Sequence, residues 1–195
     1  MLLFRIVYAI AMPFFRLLYK IKVFGRENVP EGAAVMCANH SALLDPIFLC
    51  IACGIRENWL FMAKAELLKV PMLGWLLKKI GVIPVNRGAT DISTLRNAID
   101  ALKGGKKVMI FPQGTRVREG DDDVAAKTGA AMIASRAGVP LIPVYINTKK
   151  HLFGKVIVSI GKPVSAEIEE KGQAKYKKLI GEVFDEISRL GKLYE

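Results

Sequence analysis

His40 is one of only two histidines in 195 residues. It stands where the apolar run AAVMCA gives way to Asn39, and Asp45-Pro46 follows five positions on. An imidazole hydrogen-bonded to a carboxylate is held in one tautomer and stabilised when it becomes positive, which is what a general base needs to take a proton from a hydroxyl. On one helix, five residues of rotation would put the two side chains roughly 140° apart, and they would not meet. Asp-Pro is, however, a helix-start signal, with Asp45 as N-cap and Pro46 at the first helical position. Residues 39–44 then form a loop that can fold back and bring the pair together. The same residues also fit a structural reading, in which Asp45 only caps a helix and His40 only ends a strand.

A second set of residues suits an oxyanion. In FPQGTR, directly after the apolar KVMI, Gly114 permits a close backbone approach, Thr115 adds a hydroxyl and Arg116 offers a fork matched to phosphate oxygens. An isolated Gly-Thr-Arg equally suits an ordinary turn. GVIPVNRG delivers Arg87 to another strand end, and KTGAAM puts Lys127 and Gly129 at a helix start, where a cation and free N–H groups add to anion binding. A surface lysine is the alternative for Lys127. The chain has no G-x-x-x-x-G-K-[ST] loop, no G-x-G-x-x-G fingerprint and no G-x-S-x-G elbow, and its two distant histidines form no metal cluster. Neither a metal nor a nucleotide cofactor is expected.

Presenting these groups requires a rigid scaffold. The runs AAVMCA, WLFMA, GVIPV, KVMIF, LIPVYI and KVIVSI read as buried strands bounded by Gly, Pro, Asn or charge. Helices are predicted over 46–53, 71–80, 91–102, 127–137 and about 173–190. The alternation predicts an α/β domain, a central and mostly parallel sheet flanked by helices, with its ligand site at the strand ends. The acidic run EGDDD, residues 119–123, reads as a solvated loop.

The bulk numbers bound the partners. Lys and Arg number 29 against 18 Asp and Glu, a net charge of +11, while 52% of residues are hydrophobic. Nucleic acid would explain the charge but not the apolar excess, whereas an anionic membrane surface explains both. The N-terminal MLLFRIVYAIAMPFFRLLYKIKVFG is broken by Arg5, Pro13, Arg16 and Lys20, so it offers no spanning run, and it has no small-residue cleavage site. Residues 1–22 are expected to form an amphipathic membrane-associating segment ahead of a single domain at 23–195, with Arg5, Arg16, Lys20 and Lys22 meeting lipid phosphates. A first helix packed on the protein's own core is the competing reading. Cys37, Cys50 and Cys53 lie in apolar runs and read as buried reduced thiols of a cytosolic compartment.

Taken in order, Asn39-His40-x4-Asp45, the stretch from Gly81 to Arg87, the block from Phe111 to Arg116 and the block from Val139 to Val144 resemble the four blocks of the glycerolipid acyltransferase family, especially its bacterial 1-acyl-glycerol-3-phosphate acyltransferases. The likeness covers roughly residues 20–165. It implies transfer of a fatty acyl group from an acyl carrier protein or coenzyme A thioester to the free hydroxyl of lysophosphatidate, giving phosphatidate at the cytoplasmic face of the membrane by a peripheral, monotopic enzyme. By position, His40 would be the general base and Asp45 its orienting partner. Arg87, Gly114, Thr115, Arg116 and Lys127 would hold the acceptor's phosphate, with Asn39 and Gln113 in support and no cofactor. The family's third block usually carries Glu where this chain has Gln113. Glycerol 3-phosphate or another lysophospholipid is the alternative acceptor, and a non-catalytic membrane-surface binding protein is the alternative of another class.

Overall fold

The run read as the first strand is buried along its whole length and alternates between two cores. Val35 and Cys37 face one side, and Ala34, Met36 and Ala38 the other. A strand apolar on both faces must lie inside a sheet covered on both sides, the arrangement typical of parallel sheets.

The computed structural model describes residues 2–54, 58–80, 82–85, 92–117 and 126–194. Helix α1 (Leu2–Leu18) leads into strand β1 (Lys20–Phe24) and strand β2 (Ala34–Ala38). Helix α2 (Asp45–Cys53), β3 (Trp59–Leu60), β4 (Met62–Lys64), α3 (Leu73–Lys79) and β5 (Ile83–Val85) follow. The second half holds α4 (Ile92–Lys103), β6 (Lys107–Ile110), α5 (Gly129–Ala137), β7 (Leu141–Ile146), β8 (Lys155–Ile160) and α6 (Gly172–Lys192). The main sheet has the order β1-β8-β7-β2-β6-β3, and only the β7–β8 pairing is antiparallel.

Helices α4, α5 and α6 cover the face that carries Val35 and Cys37, burying Leu102, Ile133, Leu179 and Val183. Helix α2 covers the other face with Phe48, Leu49 and Ala52. Each fully buried large aliphatic side chain contributes about 1.5–3 kcal/mol, so the sheet is clamped from both sides.

The expected α/β architecture is therefore present, with three differences in its parts. WLFMA divides into two strands. Trp59 and Leu60 pair with β6, while 62–64 pair with β5 in a separate two-stranded sheet. Residues 20–24, with lysines at 20 and 22 and placed partly in the membrane-associating segment, form an edge strand parallel to β8. Their alternation of exposed Lys20 and Lys22 with half-buried Ile21 and Val23 is that of a strand with one wet face. Helix α5 begins at Gly129, so Lys127 lies in the loop before it.

Helix α1 packs on the protein's own core along one face only. Tyr8 Oη donates to the Ile51 carbonyl at 3.4 Å, and the Phe15 ring meets Phe48 edge-on at 6.2 Å between centroids. On its outer side Ile6, Ile10, Phe14 and Leu17 are exposed, Leu17 to 75%. No helix among the described residues is long and apolar enough to cross a membrane.

What positions a site follows from the strand order. Strands β7, β2 and β6 are adjacent and parallel, so the loops after residues 146, 38 and 110 leave the sheet at one edge. Ligand sites of open α/β sheets form at such an edge.

Candidate active site

The first of those loops starts with Asn39, whose side chain continues the sheet. Its Nδ2 donates to the Ile146 carbonyl at 2.8 Å and its Oδ1 accepts from Ile146 N–H at 2.7 Å. This reciprocal pair ties the end of β2 to the end of β7 and fixes where the next residue emerges. That residue is His40. Its backbone N–H donates to Gln113 Oε1 at 3.1 Å, its carbonyl accepts from Val117 N–H at 2.8 Å, and its ring stacks on Phe111 at 4.3 Å. The loop after β6 thus holds His40 by backbone and by ring.

The loop does fold back. His40 Nδ1 lies 3.0 Å from Asp45 Oδ2, and the same oxygen accepts the N–H groups of Ser41 and Ala42, each at 2.7 Å. One correction concerns the helix start: Leu44 is the N-cap of α2 and Asp45 is already its first residue, followed by Pro46. The carboxylate does not cap the helix. It turns back over the loop, where two backbone donors and the imidazole are stronger partners than the first-turn N–H groups it would otherwise take.

Asp45 is fully buried, and Lys150 meets it from the loop after β7. Lys150 Nζ stands 3.0 Å from Asp45 Oδ1 and donates to Ser41 Oγ at 2.7 Å, with only 6% of its side chain exposed. Burial pushes the Asp45 carboxyl up, but the His40 hydrogen bond, the Lys150 charge and the Ala42 N–H outweigh it and hold the group below the ordinary carboxylate range. Burial lowers Lys150, and Asp45 only partly restores it.

The sequence reading missed Lys150. Its sole signal is position: it follows LIPVYI by four residues, so it belongs to the loop of a third strand ending at the same edge. Asn147 braces that loop by accepting from Ile157 N–H at 2.8 Å and donating to the Lys149 carbonyl at 2.7 Å.

The anion-binding candidates divide. Gly114 adopts φ 69°, a conformation that favours glycine, and a Cβ built there would lie 3.2 Å from Lys127 Nζ. Lys127 N–H donates to the Pro112 carbonyl at 2.8 Å, so the lysine side chain runs across Gly114. Thr115 and Arg116 are exposed beside it, and Val117 returns to His40. The structure thus brings Gly114, Thr115, Arg116 and Lys127 into one loop cluster beside the His40–Asp45 pair. Arg87 and the 119–123 run lie outside the described residues.

Such a cluster can deprotonate a hydroxyl and neutralise an anion next to it. Residues 20–147 match the family described as Acyltransferase. The chain is 38% identical over 151 residues to the 1-acyl-sn-glycerol-3-phosphate acyltransferase of Bacillus subtilis, covering 74% of this chain and 73% of that protein. Against the chloroplastic 1-acyl-sn-glycerol-3-phosphate acyltransferase of Arabidopsis thaliana it is 32% identical over 130 residues, 65% of this chain but 35% of that one. The chain therefore spans about a third of the length of the plant protein. Among solved structures, the 1-acyl-sn-glycerophosphate acyltransferase PlsC of Thermotoga maritima superposes with a TM-score of 0.68 at 27% identity, over 96% of this chain and 78% of that one.

Proposed function

The chain belongs to the acyltransferase family, and we propose that it transfers a fatty acyl group from an acyl carrier protein or coenzyme A thioester to the sn-2 hydroxyl of 1-acyl-sn-glycerol 3-phosphate, giving phosphatidate. The observation that carries this reading is the His40–Asp45 contact of 3.0 Å at the edge where three parallel strands end.

In this reading His40 donates its Nδ1 hydrogen to Asp45 and keeps Nε2 as the base. The acceptor hydroxyl gives its proton to Nε2 while its oxygen attacks the thioester carbonyl carbon. The tetrahedral intermediate collapses, the C–S bond breaks, and the imidazolium returns the proton to the leaving thiolate. The buried Asp45, ionised and held by Lys150 and two backbone N–H groups, stabilises the imidazolium without taking its proton. Gly114, Thr115, Arg116 and Lys127, together with Arg87, hold the acceptor's phosphate, and Gln113 and Asn39 fix the frame around His40.

The membrane part of the reading rests on α1, whose exposed Ile6, Ile10, Phe14 and Leu17 recur at helical spacing beside Arg5 and Arg16. Residues 1–22 associate with the cytoplasmic face, and 23–195 perform the chemistry there. The test is an assay of the purified protein with lysophosphatidate against glycerol 3-phosphate, each offered both thioester donors. Phosphatidate formed from lysophosphatidate alone supports the reading, and acylation of glycerol 3-phosphate instead moves the enzyme to another acceptor.

A further inference from the structure

Helix α1 does not end in isolation. The Leu18 carbonyl accepts from Phe153 N–H at 2.7 Å, and the Gly154 carbonyl accepts from Lys20 N–H at 2.9 Å, so the loop between β7 and β8 is clasped to the helix's last turn. The same loop supplies Lys150, which reaches Asp45. Phe153 is three positions after Lys150, a span of at most about 11 Å. The end of the apolar helix and the catalytic pair are therefore bridged by one short stretch of chain.

That stretch exposes His151 and, directly after it, two large apolar side chains. Leu152 is 53% exposed and Phe153 61%. Phe153 also adopts φ 62°, the left-handed region that a bulky side chain rarely enters and that costs free energy to hold. Leu17, at 75% exposure, precedes the Leu18 whose carbonyl Phe153 N–H meets, and Leu43 is 66% exposed in the loop between His40 and Asp45. The two segments carry charge of one sign: residues 1–26 and 147–166 contain no Asp or Glu, while they carry Lys20, Lys149 and Lys155, all exposed.

We propose that the β7–β8 loop is a second lipid contact, in which Leu152 and Phe153 enter the anionic leaflet beside the end of α1 and bring the mouth of the His40–Asp45 site against the bilayer. This rests on the membrane reading of α1 and goes beyond it by assigning a separate segment to the surface. An apolar loop tip clasped to the end of α1, in segments that carry exposed cations and no carboxylate, fits a leaflet that is apolar below and anionic above. It also lets a lipid-borne acceptor move sideways into the site without crossing water. The strained Phe153 backbone is compensated when its ring leaves water.

All three native cysteines are buried, so a cysteine introduced at the surface can be labelled selectively. Phe153→Cys and Phe14→Cys in the full chain, each carrying an environment-sensitive dye, are mixed with phosphatidylglycerol vesicles containing lipids brominated near the interface, with Lys171→Cys as the remote control. Quenching at 153 and at 14 but not at 171 is the expected result. Quenching at 14 alone overturns the loop contact and leaves the membrane reading standing, whereas no quenching at either site removes both. A dye response at 153 to acyl carrier protein without vesicles would assign the loop to the donor and overturn the proposal. Phe153→Ser should weaken vesicle binding about tenfold, the effect of withdrawing one aromatic side chain from an apolar phase. Unchanged binding would count against the contact.

Discussion

Replacing Lys150 by methionine removes the one cation among the described residues that faces Asp45 Oδ1 while keeping the apolar stem that fills the space. Oδ2 keeps three partners, His40 and the N–H groups of Ser41 and Ala42, but Oδ1 receives no other polar contact among the described residues. At 3.0 Å and an effective dielectric of about 20, the lost attraction is roughly 5.5 kcal/mol. The variant recovers the cost of burying an ammonium group, which offsets part of that. Breaking one side of a buried pair costs about 3–5 kcal/mol, and with three hydrogen bonds retained on Oδ2 the low end, about 3 kcal/mol, is expected. Two measurements check it: denaturant unfolding at neutral pH, and kcat as a function of pH with lysophosphatidate at saturation. Lys150 lowers the Asp45 pKa in the wild type, so its removal raises that pKa and moves the acid limb of the kcat profile to higher pH. At neutral pH kcat should fall about 10–100-fold, while Lys150→Arg, which keeps the charge, should retain more activity. A Lys150→Met enzyme with wild-type stability and an unmoved pH profile would refute the assignment of Lys150 as the countercharge of Asp45.

His40→Ala should abolish acyl transfer, by about 10²–10⁴-fold in kcat, with little change in unfolding midpoint, since His40 is half-buried and its backbone contacts survive. Arg116→Ala should raise KM for lysophosphatidate and leave KM for the acyl donor unchanged, a split that steady-state kinetics with each substrate varied in turn will show. Gln113→Glu should stay active, because a carboxylate oxygen can still accept the His40 N–H, whereas Gln113→Ala leaves that donor without its partner and should cost more in turnover. Asp45 is held below its ordinary pKa in the fold, so the stability it contributes is present above the unfolded carboxylate value and lost as pH falls through the folded one. The stability gap between wild type and Asp45→Asn, measured by denaturation, should be constant near neutrality and close below about pH 4.

The elements legible in the sequence were those whose physics is local. β2 and β7 are continuous apolar runs of five or six residues with clear boundaries, β8 is a six-residue run dominated by Val and Ile, and each forms a strand. Periodicity could not show that β1, with lysines at 20 and 22, belongs to the sheet, because its partner lies more than a hundred residues away. Nor could it show the division of WLFMA, since no local rule marks Phe61 as the break, and its carbonyl accepts from the N–H of Ile83, a residue of β5, at 2.9 Å. The helix cap was misplaced by one residue for a related reason. A side-chain carboxylate has a choice of N–H donors, and the nearer loop won.

The site shows the same division more sharply. His40 and Asp45 are five residues apart, so a turn can bring them together and their types announce the chemistry. Lys150 is 105 residues from Asp45, and nothing in its surroundings of Asn, Thr, Lys and His distinguishes it from a surface lysine. Its role follows only from the strand order β7-β2-β6, which no single segment encodes. The same order explains why Gln113 can support His40 from 73 positions away. A parallel sheet collects the ends of strands distant in sequence at one edge, and each contributes one kind of group: the imidazole and its carboxylate after β2, the loop of Gln113 and Gly114 after β6, the Lys150 cation after β7. The Asn39–Ile146 hydrogen bonds join two of these ends directly. A change at Asn39 should then disturb both the position of His40 and the loop that carries Lys150, although Asn39 touches neither Asp45 nor Lys150 among the contacts described.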